Sequence, residues 1–389
     1  MKKFLFYDDA PCFGGHEVTA VEAIKYLLNF QPDIKVSFIY WEQNKRLEDR
    51  LDILKKESRR IEMYPISYKW EDQWKNFKHL LLSSQIKISI QKLMQMINPD
   101  LVIVVQGTIH ISSLGLLCSK KCGYKTISFI PMAHHFRVTG IRSALLYIIS
   151  RYLYRQPSQF ITTSETAKQQ LIKWGVVSLI SVAFYGVDIN QYEIKDKIRA
   201  RQKLGLSDSK YIIALIGRIQ FGHKAQDFLI ETIYAYKDAL KNIHWLIVGD
   251  GPDSNQLTSM ISKMELNNSV KILPWIDDLS DIYSAIDMLV IPSRLEGTPL
   301  VMLEAMYYEL PIVASNIDGM AEILPKEWLF PAGNSWSLIE AVLQQKDNQC
   351  KTLILENKYK VLNMFNWERY GQSFYKIMEL SCSSTIINK

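Results

Sequence analysis

Two carboxylates, Glu296 and Glu304, sit in a Glu-x7-Glu spacing within residues 291–315, IPSRLEGTPLVMLEAMYYELPIVAS. The stretch reads as strand, tight loop, helix, strand. Residues 286–291, apolar apart from Asp287, supply the first strand, and residues 293–297 the loop. Thr298 is a good N-cap and Pro299 suits the first helical position, where its missing N–H costs nothing. The helix is expected to run to about Tyr308, with Pro311 opening the next strand. Glu296 then precedes the helix, and Glu304 lies roughly one and a half turns inside it. Free N–H groups at Thr298 and at Pro299's neighbours Leu300 and Val301, together with the helix dipole, favour an anion at this start. A phosphate held there would be flanked by carboxylates that accept hydrogen bonds from hydroxyls, an arrangement that describes a nucleotide sugar. An ordinary crossover with two solvated acids fits the same residues, because a helix start is a generic anion site.

A second pair of charges stands upstream. In KYIIALIGRIQFGHKAQDFLIETI the run YIIALIG is a strand, Gly217 its turn and AQDFLIETIYAY the following helix. Arg218 and Lys224 project from the loop between them. Their spacing suits two cations closing on one diphosphate, Arg as a planar fork and Lys as a point charge. Two solvated cations are the alternative.

The setting S-R-x-E-G-x-x-L-V-x-L-E-A-M around the two glutamates resembles the donor-site signature of the family 4 retaining glycosyltransferases of group 1. Where the usual form is E-G-F-G, Thr298 and Pro299 stand in the two variable places. Arg218 and Lys224 resemble the family's G-R-x(n)-K-G element, with Ala225 in place of the glycine. The loop NIDGMAEIL resembles its G-x-x-E element, and residues 185–188 its N-G-V-D turn, with Tyr185 in the Asn position.

The resemblance implies a GT-B fold: α/β, two Rossmann-like parallel-sheet domains facing a central cleft. It implies transfer of a hexosyl-type sugar from a nucleotide-diphosphate sugar, a UDP-sugar foremost, to a glycan, lipid-linked or small-molecule acceptor, with retained anomeric configuration. Site residues carry over position by position. Glu296 and His134 would hold the sugar and Glu304 the ribose. Arg218, Lys224 and the helix start at Thr298, Pro299, Leu300 and Val301 would stabilise the leaving diphosphate. Gly15, in the first Gly-Gly loop, would let backbone N–H groups approach that diphosphate. Trp275, Ile276 and Asp277 would hold the nucleobase through backbone groups, with Pro274 at the family's usual glycine. His134 is preferred over the adjacent His135. The leaving phosphate itself would take the acceptor's proton, so neither metal nor cofactor is expected. A nucleotide-sugar epimerase of the same fold is a competing reading. A non-catalytic sugar-nucleotide-binding module is another, although such a module would be expected to have lost Lys224 or a glutamate.

The elements that must position these groups follow in order. KKFLFY is a strand, Gly14 and Gly15 a flexible turn, and a helix from about Glu17 carries Val18, Val21, Ile24, Leu27 and Leu28 on one face. This is the start of a Rossmann-like unit, but the full G-x-G-x-x-G is absent, which disfavours a nicotinamide site. IKVSFIYW, NPDLVIVV and CGYKTISFIPMAHH are further strands, the last ending in a loop with His134 and His135. In open parallel sheets ligands bind at such strand C-termini. QFITTSETAKQQLIKWG is strand, cap and helix, with Thr163 or Ser164 capping and Gly175 stopping it. IHWLIVGDGP and SVKILPWIDD are strands of the second half. The chain divides into residues 1–190, an acceptor-binding domain; 191–365, the donor domain; and 366–389, whose helix is expected to cross back onto the first.

With 389 residues, 48% hydrophobic and 22% charged, the chain is globular and too long for one typical core. Net charge is +6 and uneven: residues 1–190 hold 25 basic and 16 acidic side chains (+9), residues 191–389 hold 21 and 24 (−3). The basic half suits an anionic partner, either a membrane surface or a phosphate-bearing acceptor, and also suits a merely soluble surface. No nucleic acid is expected. Trp70, Trp74, Phe77 and Leu81 fall at helical spacing near three lysines, which fits either a bilayer contact or a core-facing stripe. The helix GIRSALLYIISRYLYRQP, punctuated by Arg142, Arg151 and Arg155, allows the same two readings. No 18-residue apolar run is present, and the N-terminus is too short for a signal peptide. Five scattered cysteines suggest reduced thiols in a cytoplasmic protein, peripheral at the inner membrane face where the lipid reading holds.

Overall fold

The computed structural model describes residues 1–11, 13–68, 84–348 and 350–383. The aromatic stripe at Trp70, Trp74, Phe77 and Leu81, like Cys12, lies outside them. The chain forms two compact units, residues 1–185 with 367–389, and residues 186–366.

The first unit holds a seven-stranded sheet, all parallel: β1 (Lys2–Asp8), β2 (Ile34–Trp41), β3 (Ile61–Ile66), β4 (Leu101–Val105), β5 (Thr126–Phe129), β6 (Gln159–Thr162) and β7 (Leu179–Val182). Spatial order is β3-β2-β1-β4-β5-β6-β7. Strands buried on both faces read as continuous apolar runs, and β4 (LVIVV) is buried at every residue. The outermost strands, β3 and β7, lack that signal. β3 even carries Pro65, which is tolerated only because β3 is an edge strand. The last helix, Trp367–Ser383, packs on this unit. Its Tyr370 hydroxyl donates to Thr19 O at 3.0 Å, and Phe374 lies against Phe6 and Phe129. Gly371 abuts the Tyr26 ring so closely that a Cβ has no room.

The second unit holds a six-stranded parallel sheet: β8 (Tyr211–Ile216), β9 (Ile243–Val248), β10 (Val270–Leu273), β11 (Met288–Ile291), β12 (Ile312–Ser315) and β13 (Leu329–Phe330). Its order is β10-β9-β8-β11-β12-β13. The order reverses beside β8, so the exit loops of β8, β11 and β12 lie side by side at the carboxyl edge, the ordinary ligand position in such sheets. The exits of β8 and β9 are pressed together: Gly217 N donates to Val248 O at 2.9 Å, and Gly249, at φ +142°, leaves no room for a Cβ beside Gly217 O.

Candidate active site

The β8 exit carries Arg218 and then a single helical turn, Phe221–Lys224. That turn ends on Ala225, which is left-handed at φ 57° and ψ 38°. This explains why a glycine is usual at that place: an L-residue with a Cβ is strained there by roughly 1 kcal/mol. Ending the turn at Ala225 directs Lys224 at Glu296. The ammonium donates to Glu296 Oε1, which also accepts from the Ser293 hydroxyl at 2.8 Å. Arg218 differs: its guanidinium has no partner among the described residues, while its carbonyl is pinned by Gln226 Nε2 at 2.8 Å.

The β11 exit is fastened from both sides. Arg294 makes a two-pronged contact with Asp227, at 2.7 and 2.9 Å, and its N–H donates to His223 O. This bolts the loop to the β8 exit. On the other side Asp318 Oδ2 accepts the Glu296 N–H at 3.1 Å, and Gly319 N donates to Gly297 O at 3.1 Å. Asp318 pays for this with a left-handed φ of 49°. A side chain at Gly319 would collide with Gly297 O and Thr298.

This packing corrects the expected cap. The helix is Leu300–Tyr307, and its N-cap is Pro299, extended at φ −67° and ψ 128°. Thr298 does not cap it and Pro299 is not its first helical residue: Pro299 keeps an extended backbone and stands one place before the helix. The first bond of the helix is Met302 N to Pro299 O at 3.1 Å. The N–H groups of Leu300 and Val301 therefore have no intrahelical acceptor and point out of the helix start.

Both glutamates are buried, with opposite consequences. Burial alone would raise Glu296, but the charges of Lys224 and His223 and the hydrogen bonds from Lys224 and Ser293 more than offset it. Glu296 is held below the usual carboxylate range. Glu304 has no cation paired with it among the described residues. Its Oε1 accepts from the Tyr192 hydroxyl at 2.8 Å and its Oε2 from the Tyr283 hydroxyl at 2.5 Å. Burial dominates these two bonds, and its pKa is raised.

The structure thus brings Arg218, Lys224, Glu296, Thr298, Pro299, Leu300 and Val301 onto adjoining exits of one sheet edge. Glu304 sits a turn behind them. Trp275, Ile276 and Asp277 follow the edge strand β10, where Trp275 Nε1 donates to Asp277 Oδ1 at 3.2 Å. Gly15 and His134 belong to the first unit. Gly15 opens the helix Gly15–Phe30, and a Cβ there would meet no described atom within 4 Å. His135 is stacked on Trp174 with centroids 4.1 Å apart, while His134 is half-buried beside it. Sequence reasoning missed Tyr192, Tyr283, Asp227 and Asp318. Their only signal is spatial, since Tyr192 and Glu304 are 112 residues apart.

Residues 210–348 match the family model for glycosyl transferases group 1. The UDP-Gal:alpha-D-GlcNAc-diphosphoundecaprenol alpha-1,3-galactosyltransferase of Escherichia coli is 30% identical over 205 residues, covering 48% of this chain and 50% of that one. The D-inositol 3-phosphate glycosyltransferase of Rhodococcus jostii is 31% identical over 169 residues, covering 41% and 37%. The chain spans about half the length of the curated relatives it matches. In fold, the crystal structure of Anabaena Alr3699/HepE in complex with UDP and glucose aligns with a TM-score of 0.78 at 18% identity, over 97% of this chain and 100% of that one. Sucrose-phosphate synthase from Thermosynechococcus elongatus gives 0.79 at 16%, over 99% and 100%. Residues 210–348 are thus similar to the group 1 glycosyl transferases, and the two parallel sheets have the GT-B fold.

Proposed function

We propose that the protein transfers a hexosyl-type sugar from a nucleotide-diphosphate sugar, a UDP-sugar foremost, to a sugar-containing acceptor with retention of configuration. One observation carries this reading: a guanidinium at Arg218 with no partner among the described residues, a Lys224–Glu296 pair and the open N–H groups of Leu300 and Val301 share one sheet edge. Together they make an anion site with a hydroxyl acceptor beside it. The UDP complex of the Anabaena structure and the UDP-sugar in the Escherichia coli relative's name support the choice of donor.

In this reading Arg218, Lys224 and the helix start take up charge that grows on the diphosphate as the anomeric C–O bond breaks. Lys224 has three donors, so it keeps Glu296 and still reaches a phosphate oxygen. Glu296 accepts from the sugar hydroxyls. A carboxylate offers about four lone-pair sites, and two on Glu304 are already taken by tyrosines, so the ribose hydroxyls use the remainder. The acceptor oxygen bonds the anomeric carbon on the face the phosphate leaves, and its proton passes to the leaving phosphate oxygen. This route requires no divalent ion at the diphosphate.

A lipid-linked acceptor at a membrane surface fits one feature of the first unit. The helix Ile141–Leu153 presents Ile141, Leu145, Ile148 and Tyr152 outward at i, i+4, i+7, i+11, with Ile141 90% exposed, and Arg142, Arg151 and Arg155 are exposed around them. No helix among the described residues is long and apolar enough to cross a membrane. Vesicles containing anionic lipid should sediment the protein at low salt, and Ile148→Glu should abolish that; binding unchanged in the variant removes the membrane reading.

The donor assignment is tested by thermal-shift titration with UDP-, GDP- and ADP-sugars, on wild type and Arg218→Ala. A saturable shift with one nucleotide class, weakened at least tenfold in Arg218→Ala, supports it. A shift that ignores Arg218 overturns it.

A further inference from the structure

Three side chains of the first unit meet where β1 hands over to the helix Gly15–Phe30. One potential ligand atom from each of Asp8, His16 and Glu17 lies within 4.8 Å of the other two. Asp8 and Glu17 are fully buried, and the His16 side chain is 13% exposed. Asp8 ends β1. Its Oδ1 accepts the Ala10 N–H at 2.8 Å and the Ser112 hydroxyl at 3.1 Å, whereas its Oδ2, equally buried, has no hydrogen-bond partner among the described residues. No lysine or arginine pairs with Asp8 among those residues either. Glu17 is fixed by the Gly14 N–H, 2.7 Å from Oε2, and the same oxygen stands 3.1 Å from His16 Nδ1. The His16 ring is backed by Gly107 at the β4 exit, where a Cβ would crowd the imidazole.

A buried carboxylate oxygen with nothing to accept from is expensive. A cation removes that penalty at Asp8 Oδ2. Ligand atoms bound at about 2.0–2.2 Å to one ion stand roughly 3–4.4 Å apart, the separation this cluster allows. One imidazole nitrogen with two carboxylates is a borderline donor set, harder than thiolate sites and softer than the all-oxygen sites of Mg²⁺ and Ca²⁺.

We propose that Asp8, His16 and Glu17 bind a borderline divalent cation, Zn²⁺ or Mn²⁺. The ion gives Asp8 Oδ2 its partner and ties the Gly14–Gly15 turn to the end of β1. The three ligands are none of the donor-site residues assigned above, and the proposal stands on its own.

The test uses the full chain, dialysed against EDTA and titrated with ZnCl₂, MnCl₂ or MgCl₂ by calorimetry, with Mn²⁺ followed by electron paramagnetic resonance. One saturable equivalent of Zn²⁺ or Mn²⁺ is expected, bound at least tenfold tighter than Mg²⁺. Asp8→Asn keeps the Oδ1 bonds and changes only the unpartnered oxygen. It should lose at least tenfold in affinity while the metal-free thermal midpoint holds or rises. His16→Gln should lose a similar factor, and carries the test alone where the Asn variant does not fold. No saturable binding, equal affinity in the folded variants, or Mg²⁺ matching the other two ions overturns the proposal.

Discussion

Glu296 and Glu304 lie on the same strand–loop–helix segment, are both buried, and are neutralised by different means. Glu296 has a cation, and Glu304 has two phenols. An ammonium stabilises only the charged carboxylate, so the pair with Lys224 overcomes desolvation and the pKa falls. Hydroxyls stabilise it less, so desolvation wins and the pKa rises. The same burial therefore leaves one glutamate with a lowered pKa and one with a raised pKa. At Glu304 the two hydroxyl hydrogen bonds do not offset desolvation.

The largest test of this contrast removes the cation. Lys224→Met strands the Glu296 charge and should cost about 3 kcal/mol at pH 7, measured by urea unfolding. Lys224→Met/Glu296→Gln should recover most of that loss. A double variant as unstable as the single one would mean that the charge pairing is not what Lys224 contributes.

Next in size is the removal of a phenol. Tyr283→Phe should cost about 2 kcal/mol and Tyr192→Phe about 1 kcal/mol, and both should push Glu304 further up, observable by carboxyl NMR. An unchanged Glu304 titration would show that the two bonds are not felt by the carboxylate.

The two residues should also leave opposite marks on the pH dependence. Glu296 has a lowered folded pKa, so its contribution is present above its unfolded value near 4.5 and is lost as pH falls through the folded one. Glu304 has a raised folded pKa, so its contribution is present below that unfolded value and is lost as pH rises through the folded one. Urea midpoints taken from pH 3 to 8 should show a flattened slope below pH 4.5 in Glu296→Gln and a flattened slope above pH 4.5 in Glu304→Gln. Parallel curves would erase the distinction. The smallest effect is Ala225→Gly, which relieves the left-handed residue that aims Lys224 and should add about 0.5 kcal/mol, strain relief being partly offset by unfolded-chain entropy.

Much of this was legible in the residues. Interior strands such as LVIVV and YIIALI announce themselves because both faces are buried, and the Rossmann-like alternation follows from them. Edge strands β3 and β7 do not, since Pro65 and the half-exposed residues of β7 break the apolar signal. Glu296, Glu304, Arg218 and Lys224 stood out by type and spacing. What spacing could not reveal is who answers them. Lys224 meets Glu296 across 72 residues, Tyr283 and Tyr192 reach Glu304 from two other segments, and Asp318 takes the Glu296 N–H. The shifted helix cap was equally hidden, because Pro299 is compatible with either the cap or the first helical position and only its extended backbone decides. The Asp8, His16 and Glu17 cluster was likewise invisible, as β1 and the turn must fold before the three side chains face each other.

The return of the last helix to the first unit fixes an order of events during synthesis. Residues 186–366 form a contiguous unit, so on the ribosome they can complete their sheet as soon as they emerge. The first unit, although made earlier, must wait for residues 367–383 to cover Phe6, Phe129 and Tyr26. At about 5–20 residues per second, the second unit and the last helix take roughly ten to forty seconds to appear, during which an apolar groove stands open. A chain truncated near residue 366 would be expected to recruit chaperones or aggregate through that groove while its second unit remains folded.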